Sequence, residues 1–291
     1  MEFKSYHPLI NLIYFVCAFV FALWFTDPVF TAIAFICAFL FLLALTGKKA
    51  FGLGIGLLVF IIVFTLLYRT FNHFGITNIG ETSIGNKITL EATAFGLNLA
   101  FRISAAIILI ACFVKIFTTD KIVYLFGKIS PKFSVFLSFL FRFIPRIKKE
   151  SNKISKARKG IGRAKGQGSF KNKVKNFMAY FGRLISFSTE STFESLDSMK
   201  NRGLGLKGRT AFSIYRFDKR DRAFVIIMFL FIFLTLTAWA LDYAIIQYDP
   251  EIIIVNKDAA SYLFYIIYAF LLLMPTASEV LMKMRFKKVC A

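Results

Sequence analysis

Six apolar runs recur along this chain, five of them about 17 to 20 residues long and one longer, which is the length a helix needs to cross the hydrocarbon core of a bilayer. Lipid offers no water to backbone N–H and C=O groups, so such runs are driven into helices that satisfy those groups internally. The runs cover residues 9–26, 29–45, 51–68, 89–117, 223–241 and 262–281. A hydrophobic content of 57% and a mean hydropathy of +0.66 exclude an ordinary soluble domain. The predicted fold is an all-α polytopic membrane protein with about six transmembrane helices and two long amphipathic cytoplasmic helices. Three parts follow from it: 1–117 with four spans, 118–222 as a cytoplasmic region, and 223–291 with two spans and a basic tail.

The net charge of +21 is distributed very unevenly over the alternate sides of these spans. One side holds Lys4, Lys48, Lys49, the whole middle region and the tail with Lys283, Arg285, Lys287 and Lys288. The other holds only Arg69, Lys87 and Lys257 among basic residues, together with Asp242, Asp249, Glu251 and Asp258. The positive-inside rule therefore predicts that both termini and the middle region are cytoplasmic. The opening MEFKSYHPLI leads into an apolar run without a small-residue cleavage site, which reads as a retained first span. Cys17, Cys37, Cys112 and Cys290 lie in or beside apolar runs without metal-like spacing and read as packing residues.

Residues 133–209 are the most informative part of the chain. Two amphipathic patterns are joined there by a glycine- and lysine-rich hinge. The first opens with an apolar run from Phe133 to Ile144, too short to span, which is expected to lie at the inner interface or against a partner. Pro145 follows and is expected to kink or break the helix, because it lacks the backbone donor and crowds the preceding turn. The second pattern places Val174, Phe177, Met178, Phe181, Leu184, Ile185, Thr192, Leu196 and Met199 at helical spacing. Ser188, Ser191, Ser195 and Ser198 form a row of small residues at intervals of three and four, where another helix can cross at short range. Arg202 continues that row, and Gly203 and Gly205 stop the helix. Each pattern ends in an arginine motif: Ala157-Arg158-Lys159-Gly160 and Asn201-Arg202-Gly203.

Signals for chemistry on this chain are few. No phosphate-binding G-x-x-x-x-G-K-[ST] loop and no H-E-x-x-H motif occur, and the histidines are His7 and His73. Gly52, Gly54 and Gly56 in the third span would admit a neighbouring helix at close range. Arg102 is an ionisable group at membrane depth, with Asn98 one turn away. Glu91 lies eleven residues earlier, about 16 Å along the axis, which rules out a direct pair. Backbone carbonyls or a neighbouring helix are the favoured partners of Arg102, with a proton or ion relay as the functional alternative. The lysines of 153–175 read as a solvated or lipid-phosphate-facing surface, and without a recognised nucleic-acid module they do not indicate nucleic-acid binding. Arg158 and Arg202 have a plain reading as charges complementing helix dipoles, but their matched placement before glycine favours docking.

These residues resemble a family, the transmembrane T component (EcfT/CbiQ type) of energy-coupling factor transporters, which import vitamins and nickel or cobalt at the expense of ATP. The resemblance covers residues 118–210, through TTDKIVYLFGKISPKFSVFLSFLFRFIPRIKKE, the first Ala-Arg motif and SMKNRGLG, and Arg102 also fits. It implies that the two long helices are coupling helices that cross each other and rest on two ATP-binding cassette ATPases. Arg158 and Arg202, with Ala157, Gly160, Asn201 and Gly203 around them, take the positions of the residues that enter grooves on those ATPases. The family's usual Ala-Arg-Gly is altered at both places. Phe136, Leu140, Phe177, Phe181 and Ile185 take the face that supports a small substrate-binding membrane subunit. ATP and magnesium would be held by the ATPases, with no cofactor in this chain, no metal site and no catalysis of its own. A bacterial or archaeal cytoplasmic membrane is the implied location. A self-contained channel or secondary carrier with a basic lipid-binding loop is the competing reading, and a membrane-anchored nucleic-acid-binding protein a third.

The charge asymmetry yields a direct test of topology. A membrane-impermeant thiol reagent added to intact cells is expected to label a cysteine placed at Asn78 or Asp249 but not one at Gln167. Labelling at Gln167 reverses the orientation.

Overall fold

A computed structural model of the protein describes residues 3–81, 87–129, 131–162, 170–203, 215, 217–254 and 258–289. The chain divides into two compact units, one formed by Met1–Thr118 with Tyr215–Ala291 and the other by Thr119–Ile214. The first contains α1 (Pro8–Trp24), α2 (Pro28–Thr46), α3 (Ala50–Phe71) and α4 (Leu90–Ile116). The second contains α5 (Thr119–Ile129), α6 (Pro131–Gly160) and α7 (Phe170–Asn201). The chain then returns to the first unit with α8 (Lys219–Ala240) and α9 (Ala259–Val289). The fold is all-α and polytopic, and its six apolar helices lie where the apolar runs place them.

Among the described residues, four stretches are long and apolar enough to cross a membrane: Pro28–Phe71, Leu90–Ile116, Lys219–Ala240 and Ala259–Arg285. The first is 44 residues long and contains both α2 and α3, separated by a 3-10 turn at Gly47–Lys49. The 17-residue α1 is apolar but shorter. Local chemistry sets the helix ends. Pro8 and Pro28 stand in first turns, where the missing N–H has no intrahelical partner to lose. The Asp27 carboxylate accepts the Val29 N–H at 3.2 Å, and Asp218 with Asp221 forms a capping box at the start of α8. Gly47 ends α2 at φ 64°, a left-handed backbone that glycine adopts without strain.

α4 packs on α1, α2 and α3, while α9 packs on α2 and α8. Aromatic rings fill the space between them largely edge to face, with Phe3 against Tyr14 at 5.5 Å and Phe30 against Tyr265 at 4.8 Å. Polar contacts close both ends of this bundle. At one end the Phe3 N–H donates to the buried Glu279 carboxylate at 2.7 Å, and the Lys283 ammonium reaches the Ala44 carbonyl. At the other, the turn between α1 and α2 is held by backbone bonds from Thr26 and Asp27 to the Ala244 carbonyl, at 3.0 and 3.2 Å. Residues 69–87, an expected loop, contribute β1 (Asn78–Glu81), which pairs antiparallel with β2 (Lys87–Thr89). A second small hairpin, β3 (Ile246–Gln247) with β4 (Ile253–Ile254), joins α8 to α9.

Two expectations are corrected here. Of the kink or break expected at Pro145, the break does not occur, because Pro145 lies inside an uninterrupted α6. A proline removes one i to i−4 bond, and the bonds on either side carry the helix through. Of the three glycines in α3, only Gly54 meets a neighbour, the Phe39 ring of α2, at 2.7 Å from an added Cβ, whereas Gly52 and Gly56 face open space. The reason is periodicity. Residues two apart on a helix point to nearly opposite sides, so Gly54 cannot share a face with the other two. The close α3–α4 approach falls at Gly96 instead, where an added Cβ would stand 2.9 Å from the Tyr68 ring and 3.1 Å from its Cβ.

Tyr68 Cβ is fixed to the backbone and has no freedom to move aside. Gly96→Ala is therefore expected to lose about 1 to 3 kcal/mol through overpacking. Gly56→Ala, in open space, is expected to be neutral or to gain up to about 1 kcal/mol of helix propensity. Thermal unfolding of the two purified variants in detergent checks this, and equal midpoints contradict the packing at Gly96.

Candidate functional site

The second unit carries most of the residues singled out from the sequence. α5 was not separated from the basic region by sequence reading, yet it is an amphipathic helix that folds back on α6. The Ser134 hydroxyl donates to the Val123 carbonyl at 3.0 Å, and Phe126 meets Phe133 edge to face at 5.2 Å. α6 and α7 are 30 and 32 residues long, about 45 and 48 Å at 1.5 Å per residue.

Three side-chain contacts define how these two helices run. Arg158 donates to the Asn176 side-chain oxygen at 3.4 Å, Ser151 and Tyr180 share a hydroxyl hydrogen bond, and the Arg146 guanidinium lies 6.0 Å from the Phe187 ring centroid. Positions on α6 fall from 158 to 151 to 146 as those on α7 rise from 176 to 180 to 187. The pair is therefore an antiparallel hairpin with a seam of polar and aromatic groups. Ser191 lies on the same face as Tyr180, eleven residues further on, and is only 3% exposed.

The serine row divides along that seam. Ser191 is buried, Ser188 and Ser195 are half-buried, and Ser198 is exposed. Ser188 and Ser195 donate back to the Leu184 and Ser191 carbonyls at 2.7 Å, which leaves their outer surface small and weakly polar. The Ser191 hydroxyl has no hydrogen-bond partner among the described residues. The apolar stripe points elsewhere: Phe136, Phe177, Phe181 and Ile185 are 48 to 54% exposed, and Leu140 is half-buried. Ring stacking within the stripe aligns Phe177 with Phe181 at 6.3 Å.

The arginine motifs occupy opposite ends of the hairpin. Arg158, 9% exposed, is folded against α7, with Ala157 and Gly160 exposed beside it. Arg202 is exposed just beyond the last turn of α7, its N–H bonded to the Ser198 and Met199 carbonyls at 3.2 Å, with Asn201 exposed and Gly203 at φ 81°. Asn176, beside Arg158, precedes Arg202 by 26 residues, so the two guanidinium groups stand about 39 Å apart along the helix. Asn176, Tyr180, Ser151 and Phe187 were not singled out from sequence. On α7, Asn176, Tyr180 and Phe187 lie about 100 to 140° around the helix from the apolar stripe, a side that periodicity alone could have marked.

In the first unit the structure shows the partners of Arg102. Its guanidinium donates to the Leu23 carbonyl at the end of α1, and its Nε is buried without a partner among the described residues. Asn98, one turn earlier, donates to the Thr26 carbonyl and, at 2.9 Å, to the Tyr248 hydroxyl, which itself donates to Thr26 at 3.2 Å. Burial raises the Tyr248 phenol above its ordinary range, against a smaller lowering by Asn98, so it remains a neutral donor at neutral pH. Tyr265 adds a 2.7 Å hydrogen bond to the Asp27 carboxylate. Glu91 lies apart from these groups and accepts from the Thr77 N–H at 3.2 Å. No cluster of three or more His, Cys, Asp or Glu side chains suited to a metal occurs among the described residues.

One unit of apolar helices and a second with a long amphipathic hairpin are the features on which a comparison with known families can be judged. The cobalt transport protein family, CbiQ, matches residues 6–211, which takes in α1 to α7 and both arginine motifs. The chain belongs to the CbiQ family. No curated protein matches the chain at a significant level. As a CbiQ protein with several apolar spans, it is a multi-pass membrane protein of a transport system.

The seam makes an asymmetric prediction for the serine row. Ser191→Leu inserts three extra carbons into a buried position and is expected to lower the thermal midpoint, at a cost of about 1 to 3 kcal/mol. Ser198→Leu is expected to leave it unchanged. Equal behaviour of the two variants in detergent would show that Ser191 does not pack in the hairpin.

Proposed function

We propose that this CbiQ protein is the membrane scaffold of an energy-coupling factor transporter, passing movements of two partner ATPases to a separate substrate-binding membrane subunit. The observation that carries this reading is the α6–α7 hairpin, with one arginine motif at each end and an exposed apolar stripe between them. Two cationic groups about 39 Å apart are too distant for a single groove and suit two separate subunits. An exposed run of Phe136, Phe177, Phe181 and Ile185 is a hydrophobic patch of the kind that marks a partner surface. ATP and magnesium would sit on the ATPases, and cobalt, nickel or a vitamin would be the cargo of the substrate-binding subunit. Both termini and the hairpin would face the cytoplasm. Positions of contact are consistent with this, since the first residues of the chain, the end of α2 and the last half of α9 meet at one end of the bundle.

A guanidinium forms a planar, two-pronged pair with a carboxylate in a partly desolvated groove, which an ammonium cannot do. Arg202 is exposed and ready for such a partner. Arg158 must first leave Asn176, so its docking starts from a competing contact. The Arg102 guanidinium and the Asn98 amide donate to backbone carbonyls around the α1–α2 turn, a structural use that the channel or carrier reading does not need.

The test is capture of the ATPases by the purified membrane protein, together with uptake. Removing one partner of a partly buried charge pair costs about 3 to 5 kcal/mol, or two to three orders of magnitude in affinity. Arg202→Ala is expected to weaken capture more than Arg158→Ala, because Arg158 gives up an internal contact on docking. Either single variant keeps some capture through the other contact, the double variant loses both, and Arg→Lys restores it only partly. Normal capture and uptake by the double Ala variant would falsify the docking roles.

A further inference from the structure

The charge on the α6–α7 hairpin is concentrated at its hinge end to a degree that ATPase docking does not require. Residues 146–175 contain twelve Lys or Arg and one Glu, a net of +11 out of +21 for the whole chain. The rest of α7, from 176 to 201, has two basic and three acidic residues. The one acidic residue at the hinge end, Glu150, is paired with Lys153 at 2.7 Å. Lys156 and Lys159 at the end of α6, and Lys171, Lys173 and Lys175 at the start of α7, are all exposed. The Arg158–Asn176 contact brings these two groups to the same end of the hairpin.

These lysines are not placed to stabilise α7. Its first turn contains no acidic residue, and positive charge there opposes the helix dipole. Lys171, Lys173 and Lys175 are placed beside its apolar stripe. At 100° per residue, Phe170, Val174, Phe177, Phe181 and Ile185 centre on one line of the helix. Lys171 and Lys175 fall about 80 and 120° to one side of it, and Lys173 about 80° to the other. Phe170 and Val174 are exposed between them. Cations flanking an exposed apolar stripe match the boundary of a bilayer, where headgroup phosphates lie directly above acyl chains. Nucleic acid offers the phosphates without the apolar layer.

We propose that the hinge end of the hairpin binds the phosphate headgroups of anionic lipids through Lys156, Lys159, Lys171, Lys173 and Lys175. The lipid anchors this end of the hairpin to the inner leaflet. The binding rests on the membrane location of the chain and not on docking by Arg158 or Arg202, which are separate residues.

The experiment uses the full chain in neutral detergent, mixed with phosphatidylglycerol and phosphatidylcholine, with bound lipid counted by native mass spectrometry. The wild type is expected to retain phosphatidylglycerol in preference to phosphatidylcholine. Each lysine near an anionic surface contributes about fivefold in affinity at low salt, so changing all five to Gln is expected to reduce retention by at least a hundredfold. Replacing the five by Arg is expected to preserve it. Replacing Lys48, Lys49, Lys219 and Lys283 by Gln is expected to change it little. Millimolar inorganic phosphate is expected not to displace the lipid, since it lacks the acyl chains. The proposal is overturned if the five-Gln variant retains phosphatidylglycerol like the wild type. It is equally overturned if the four-Gln control loses as much, or if phosphate or an oligonucleotide displaces the lipid. ATPase capture by the five-Gln variant separates this outcome from failure of the docking roles, which concern Arg158 and Arg202 alone.

Discussion

The seam between α6 and α7 is made of polar and small groups, and what the rest of the second unit displays depends on it. Arg158 with Asn176, Ser151 with Tyr180 and Arg146 over Phe187 are joined face to face, and Ser191 is buried on the Tyr180 side of α7. An amphipathic helix in water ordinarily buries its apolar face against the nearest neighbour. Here the polar face is turned inward and the aromatic stripe outward, an arrangement that costs free energy in a free-standing soluble hairpin. It makes sense for a hairpin whose apolar face has another apolar phase to meet, either a bilayer boundary or a membrane partner. The same seam sets the antiparallel run of the two helices and hence the distance between the arginine motifs.

The first unit solves a different problem. Its helices have apolar surfaces on nearly every side, so hydrophobicity alone gives little guidance on which face meets which neighbour. Specific polar bonds supply that guidance. Arg102 and Asn98 of α4 bind carbonyls of the α1–α2 turn, the backbone of that turn binds Ala244 beyond α8, and Tyr265 of α9 binds Asp27. Helices distant in sequence are thereby tied at one end, while Glu279 and Lys283 tie α9 to the start of the chain and the end of α2 at the other. Close backbone approach at Gly54 and Gly96 adds shape to these bonds.

Much of this was legible in the sequence, for reasons that differ by feature. Six apolar helices could be placed because bilayer thickness imposes a length that a run of residues either meets or does not. The arginine motifs could be placed because glycine after a periodic pattern marks a helix end. Pro145 does not break α6 because proline removes a single bond, and the neighbouring bonds carry the helix through. The glycines of α3 were misjudged as a group because a helix turns them to different sides, and only contact with Phe39 reveals which side is occupied. α5 was passed over because its amphipathic pattern is only eleven residues long and the Gly127 and Pro131 that mark its end were not read as a boundary.

By itself the sequence determined the helical class, the number and position of the apolar runs, the charge asymmetry between the two sides and the periodic stripe on α7. All of these are local or compositional, set by backbone hydrogen bonding in lipid and by the 3.6-residue turn. Only the tertiary structure decided that the aromatic stripe of α7 faces outward and Tyr180 inward. It alone decided that Arg158 rests on Asn176 while Arg202 is exposed at the end of α7, and that Arg102 binds Leu23. Each of these depends on which residues, tens of positions apart, arrive at the same place. A helix pattern specifies a face, but the partner that the face meets is chosen by packing among many helices at once.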